Sequence, residues 1–122
     1  MNTPANTASR YIAIWNEGDA GARRQLIAAF FTNDASYCDP MMKGDGHAGI
    51  DAMIAAAQSQ FAGMRFSLAG TPDGYDDVTR FSWSLAVPGE KPVAHGTDIC
   101  VSNPSGHVAH VTGFLDTAPV QA

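Results

Sequence analysis

Arg80-Phe81-Ser82-Trp83-Ser84-Leu85-Ala86-Val87 is the stretch that decides the fold. Phe81, Trp83, Leu85 and Val87 fall on one side of an extended chain, and Arg80, Ser82 and Ser84 on the other. A period of two marks a half-buried strand, covered by another layer on one face only. A face so aromatic covers either a packed core or an apolar ligand cavity, and periodicity alone does not separate the two. The same period appears on both sides of this stretch. Arg65 to Thr71, Val78 to Val87, Val93 to Ser102 and His107 to Asp116 read as four strands. Thr71-Pro72-Asp73-Gly74, Pro88-Gly89-Glu90-Lys91 and Asn103-Pro104-Ser105-Gly106 are the turns expected between them.

Upstream the period changes to that of helices. Ala8, Tyr11, Ile12 and Trp15 form an apolar stripe behind a cap at Asn6 or Thr7, and Gly18 stops that helix. Asp19 or Ala20 opens a second helix, carrying Leu26, Ile27, Phe30 and Phe31 to its end. Ala35 to Asp39 alternates briefly like a strand, and Pro40 halts it. Residues 40–47 read as a loop. Ile50, Met53, Ile54, Ala57 and Phe61 then stripe a third helix that ends at Gly63. Helices first and an antiparallel meander after them predict an α+β domain, with three N-terminal helices packed on one face of a curved, mainly antiparallel sheet. A single domain is expected over 1–122, with its core at 8–116 and a loose tail at 117–122.

Composition narrows the function. Of the 122 residues, 45% are hydrophobic, 16% are charged and 9% are aromatic, so the chain is globular and sparing with surface charge. Seven basic residues against twelve acidic ones give a net charge of −5. The longest basic run is Arg23-Arg24, which argues against nucleic acid and against an anionic membrane surface. No stretch reaches membrane-spanning length, and the start lacks a basic region followed by an apolar run, so a cytoplasmic protein is expected. Cys38 and Cys100 are too few for a disulfide framework and lack metal-type spacing.

The order of elements resembles the nuclear transport factor 2-like superfamily, whose members fold as a cone-shaped α+β barrel. Tyr11-Ile12 with Gly18-Asp19, Asn33-Asp34-Ala35, Asp39-Pro40, and Gly46 with Ile50 look like landmarks of ketosteroid isomerases and SnoaL-like polyketide cyclases. Gly106-His107-Val108 followed by Phe114 is similar to that group's final hairpin. The resemblance covers residues 8–116 and implies fold more specifically than activity. Position by position, the isomerase pattern puts the first-helix tyrosine on Tyr11, the base aspartate before a proline on Asp39, and the second aspartate on Asp98. The tyrosines that support the first-helix tyrosine in that family correspond to Phe31 and Ile54, so Tyr11 is expected to lack that support.

The resemblance implies cofactor-free proton transfer on an apolar carbonyl compound, an isomerisation or a cyclisation. Such chemistry requires a base above a carbon and donors at the oxygen where charge develops. Asp39 would be the base, and Tyr11 with a protonated Asp98 the donors. Trp15, Phe31, Phe61, Phe81, Trp83, Leu85 and His47 are the candidate substrate-binding residues. Each has a plainer reading. Asp39-Pro40 is also a turn starter, Tyr11 fits a core position, and the aromatic residues fit a packed interior. Asp98 is the hardest to explain plainly, because it sits mid-strand on the face of Gly96 and Cys100.

His95, His107 and His110 form no pair with metal-ligand spacing, so neither a metal nor a cofactor is implied. A non-catalytic binding or dimerisation module is the alternative on the same scaffold. Epoxide hydrolysis is a third, for which Arg80 would be the arginine, though its parity points away from Phe81 and Trp83. The partners expected are an apolar small molecule and a second copy of the chain, the latter held through the outer sheet face that carries Ile99 and Val101.

Overall fold

The computed structural model describes residues 3–117. Three helices, α1 (Pro4–Asn16), α2 (Ala20–Phe30) and α3 (Gly46–Gln60), pack on one six-stranded sheet. Its strands are β1 (Phe31–Cys38), β2 (Lys43–Asp45), β3 (Arg65–Tyr75), β4 (Val78–Ala86), β5 (Ala94–Ser102) and β6 (Val108–Thr117). Their order across the sheet is β2-β1-β6-β5-β4-β3. Every neighbouring pair is antiparallel except β1 with β6. The sheet curves around the helices and stays open, with β2 and β3 as its edges. Register shifts in the β1–β6, β3–β4 and β5–β6 ladders supply the local bends that curvature needs.

Local chemistry explains the boundaries, including those that differ from expectation. The cap of α1 is Thr3, not Asn6 or Thr7: its hydroxyl accepts from Asn6 N at 3.1 Å. Pro4 follows at once, where its missing N–H costs nothing. Asp19 caps α2 through Ala22 N at 2.8 Å. Phe31 does not end α2. Its extended backbone (φ −101°, ψ 150°) already begins β1. Within the expected 40–47 loop, residues 43–45 pair with β1 as a short strand. Thr71-Pro72-Asp73-Gly74 is not a turn either. β3 runs through it with a bulge between Ala69 and Asp73, and Pro72 is tolerated because β3 is an edge strand. The reversal comes later, where Asp76 adopts a positive φ of 54°. Thr117 ends β6, and the rest of the expected loose tail lies outside the described residues.

The core lies between helices and sheet. Ala8, Tyr11, Ile12 and Trp15 of α1 and Ile50, Met53, Ile54 and Ala57 of α3 meet Phe81, Cys100 and Val111. Arg23 is buried at the junction of the helices, where its Nε donates to Asp51 at 2.6 Å. Among the described residues no helix is long and apolar enough to cross a membrane.

Candidate active site

A small, partly open cavity of about 40 Å³ lies between the helices and the concave sheet face. Tyr11, Ile12 and Trp15 of α1 and Ala57 and Phe61 at the end of α3 form one wall. Tyr37, Phe66, Trp83, Leu85, Ala94, Asp98 and Leu115 of the sheet form the other, and Asp39, Met41 and Met42 border it from the loop after β1. The walls are held by ring contacts: Trp15 stands 5.6 Å from Tyr37 and 5.4 Å from Phe66, and Phe66 5.3 Å from Trp83. Edge-on and tilted rings at such spacings attract each other beyond their buried area.

Four acidic or hydroxyl groups sit in this apolar setting as two pairs. The Tyr11 hydroxyl donates to Asp98 Oδ2 at 2.6 Å, and Trp83 Nε1 donates to Asp98 Oδ1 at 3.2 Å. The Tyr37 hydroxyl donates to Asp39 Oδ2 at 2.5 Å. Asp39 Oδ1 accepts the backbone N–H groups of Met41 at 2.7 Å and Met42 at 2.8 Å. Asp39 therefore both starts a turn and borders the cavity.

The two pairs converge at Gly113. A Cβ on that residue would stand 2.9 Å from Asp39 Cβ, 3.0 Å from Asp98 Oδ1 and 3.2 Å from the Tyr37 hydroxyl. Only a residue without a side chain lets the two carboxyl-bearing groups approach one point. The β5–β6 register sets this up by placing Gly113 directly opposite Asp98.

Electrostatics separates Asp98, Tyr11 and Tyr37 from ordinary groups. Asp98 is 3% exposed, and burial pushes its carboxyl up to about 6. The bonds from Tyr11 and Trp83 pull the other way, while the charges of Asp39 and Asp116 add to the rise. Burial, and then the charge of Asp98, holds the phenols of Tyr11 and Tyr37 well above their usual range. Asp98 thus changes charge close to neutral pH, whereas the two phenols stay protonated as donors.

Of the residues named from sequence, Tyr11, Asp39, Asp98, Trp15, Phe61, Trp83 and Leu85 line the cavity. Phe81, Phe31 and His47 do not. Phe81 lies beneath Tyr11 with ring centroids 5.1 Å apart, so the tyrosine covers it. Phe31 packs edge-on against Phe30 at 4.9 Å, and His47 Nε2 donates to the Phe31 carbonyl at 3.1 Å. Tyr11 is held by its bond to Asp98, while Phe31 and Ile54 stand where the isomerase pattern has its supporting tyrosines. Tyr37 is the polar group that sequence reasoning misses. Its one signal is parity, two residues before Asp39 near the end of β1. Arg80 faces outward and pairs with Asp73 at 3.1 Å. Among the described residues no group of His, Cys, Asp and Glu is placed to hold a metal ion.

Comparison with known proteins agrees with this architecture. A SnoaL-like domain model matches residues 8–111. A candidate isomerase of the SnoaL-like family from Agrobacterium tumefaciens is 46% identical, with a TM-score of 0.90 over 94% of this chain and 99% of that one. A candidate polyketide cyclase from Sinorhizobium meliloti shares the fold at 18% identity and a TM-score of 0.68, over 88% and 93% of the chains. An Exiguobacterium protein of unknown function, described as nuclear transport factor 2-like, does so at 19% and 0.71, over 92% and 99%. No curated protein matches the chain in sequence. The chain belongs to the SnoaL-like family of the nuclear transport factor 2-like superfamily.

Proposed function

We propose that the protein is a cofactor-independent enzyme that moves a proton next to the carbonyl of an apolar small molecule, as an isomerase or a cyclase does. The observation that carries this reading is that Asp39 and Asp98 line one aromatic cavity and both approach Gly113. Asp39 takes the proton through Oδ2, the oxygen left less engaged by the turn. Asp98 in its protonated form, with Tyr11, donates to the oxygen where charge develops. An apolar wall strengthens each of these interactions by excluding water.

The test is Asp39→Asn, which keeps the shape and the turn while removing the proton acceptor. Unsaturated ketones and polyketide-like aldehydes are screened for quenching of tryptophan emission, since Trp15 and Trp83 both line the cavity. Turnover of a compound found this way should fall about a hundredfold to ten-thousandfold in the variant, with binding retained. Equal turnover by the variant refutes the mechanism.

A binding module without catalysis is the second reading, and one observation favours it. Both backbone bonds to Asp39 Oδ1 belong to an ordinary aspartate turn. Carbonyl compounds that bind and never react would support it. Epoxide hydrolysis with Arg80 has no such support, because that side chain lies on the opposite face of the sheet.

A further inference from the structure

The cavity of about 40 Å³ is far smaller than the roughly 150 Å³ in which an engineered protein cavity binds benzene. A six-membered ring therefore enters whole only if part of the wall withdraws. Which part can withdraw follows from how each wall residue is held. Tyr11 and Trp83 are hydrogen-bonded to Asp98, and Tyr37 to Asp39. Trp15 packs against Tyr37 and Phe66, and Phe66 against Trp83. These rings brace one another and form the fixed side of the site.

The two methionines after Asp39 are held differently. Asp39 Oδ1 accepts the backbone N–H of Met41 at 2.7 Å and that of Met42 at 2.8 Å, and Asp39 N donates to the Met42 carbonyl at 2.9 Å. The main chain of both methionines is thus tied to the candidate base, and only their side chains are free to adapt. Met41 is 50% exposed and stands on the rim. Met42 is half-buried and packs against the core. A thioether chain adjusts readily where it is open to solvent. Swinging Met41 aside gives up little buried surface, whereas withdrawing Met42 forfeits its core contact while its backbone stays pinned.

We propose that Met42 sets the size of the substrate at this site. An open-chain or single-ring ketone or aldehyde enters past Met41 with its carbonyl end first, and fused-ring compounds are excluded. This assignment rests on the proton-transfer reading and names the substrate class of the same site. The turn fixes Met42 and Asp39 as a unit, so a carbon presented to the carboxylate lies beside Met42 whatever the rest of the molecule is. Bulk beyond a first ring then meets either the braced aromatic side chains or Met42.

The size limit is tested by binding, without any need for turnover. Both tryptophans of the chain, Trp15 and Trp83, line the cavity, so quenching of their emission reports occupancy in the whole protein. The methyl signals of ¹³C-methyl-labelled methionine, assigned with Met41→Ala and Met42→Ala, report contact at Met42. The probes are a one-ring enone (cyclohexenone), a two-ring enone (octalone) and a four-ring enone (androstenedione). The parent protein should bind cyclohexenone with a shift of the Met42 methyl, and the two larger probes about tenfold more weakly or worse. Added apolar surface alone would give the reverse order. Met42→Ala should tighten octalone about tenfold or more, and Met42→Leu, of similar volume, should leave it excluded.

Octalone or androstenedione bound by the parent protein as tightly as cyclohexenone overturns the size limit. So does cyclohexenone that fails to bind, or a Met42→Ala protein that gains nothing for octalone. The comparison of probes on the parent protein is a test by itself, whether or not the variants fold. Size-selective binding without turnover of any bound ketone removes the enzymatic reading alone, whereas Asp39-dependent turnover of a fused-ring compound removes the size limit alone.

Discussion

Gly96 lies directly beneath the indole of Trp83: a Cβ on Gly96 would stand 2.2 Å from the ring. The two residues are register partners across β4 and β5, and the glycine lets the ring lie flat enough for its Nε1 to reach Asp98. Gly96→Ala should therefore expel the indole rather than merely crowd it. The expected cost is about 1–3 kcal/mol of stability, as for other overpacked interiors. Tryptophan emission should shift to the red, and Asp98 should titrate above its present value of about 6, because a donor to its charged form is lost. Unchanged emission and an unchanged titration would count against this account of Trp83.

Asp98 also makes stability depend on pH in an unusual direction for a carboxylate. Its folded value of about 6 exceeds the roughly 3.9 of an unfolded aspartate, so the folded chain binds the proton more tightly. Stability from this residue is therefore highest below the unfolded value and falls as pH rises through the folded one, a loss of about 2–3 kcal/mol. Asp98→Asn lacks that loss. Urea unfolding at pH 4 and pH 7 should show the variant gaining on the parent protein as pH rises; a difference that stays flat sinks the prediction.

Arg23 tests the frame that holds the cavity wall. Besides Asp51, it donates to the Glu17 carbonyl at 3.1 Å and to Gln58 Oε1 at 3.0 Å. Gln58 donates onward to the Trp15 carbonyl at 3.0 Å. Arg23→Ala strands Asp51 and loosens the end of α1 that carries Trp15. A loss of about 3 kcal/mol is expected, the usual result of removing one partner of a buried ion pair. Thermal unfolding measures it directly, and a melting temperature indistinguishable from that of the parent would contradict the reading.

Assembly is the fourth prediction. Phe114 is 52% exposed on the outer sheet face, where it pairs with Thr97 beside Ile99. An aromatic residue left open next to half-buried aliphatic ones fits a surface that a second copy covers. Sedimentation at micromolar concentration should show a dimer, and Phe114→Asp should shift it to monomer. A monomeric parent protein would rule the dimer out.

The strand parity legible in Phe81-Ser82-Trp83-Ser84-Leu85 also puts Asp98, Gly96 and Cys100 on the inner face, where they lie. Helix stripes likewise place Tyr11 and Trp15 inward. Parity names a face and not a depth, which is why it marks Phe81 for the cavity although Tyr11 covers it. His47 is near Asp39 in sequence, but the first turn of α3 aims it back at the Phe31 carbonyl. The bulge at Pro72 is hidden because the same residues spell a turn when β3 is not known to be an edge. Tyr37 is the group that the sequence conceals best. Its meaning depends on the parallel pairing of β1 with β6, and no local pattern announces that pairing.

That pairing has a further consequence for how the molecule comes into being. β6, the last strand described, lies between β1 and β5, so within the sheet it alone joins β1–β2 to the meander. Until β6 has been synthesised, β1–β2 and β3–β5 are two half-sheets, each with an open inner edge. Asp39 belongs to one half and Asp98 to the other. A nascent or truncated chain therefore holds the two carboxyl-bearing halves without the strand that sets them in register. Closure depends on contacts far apart in sequence, which form slowly and leave strand edges unpaired in the interval. The same insertion that creates the site late makes the unfinished chain the form most exposed to aggregation.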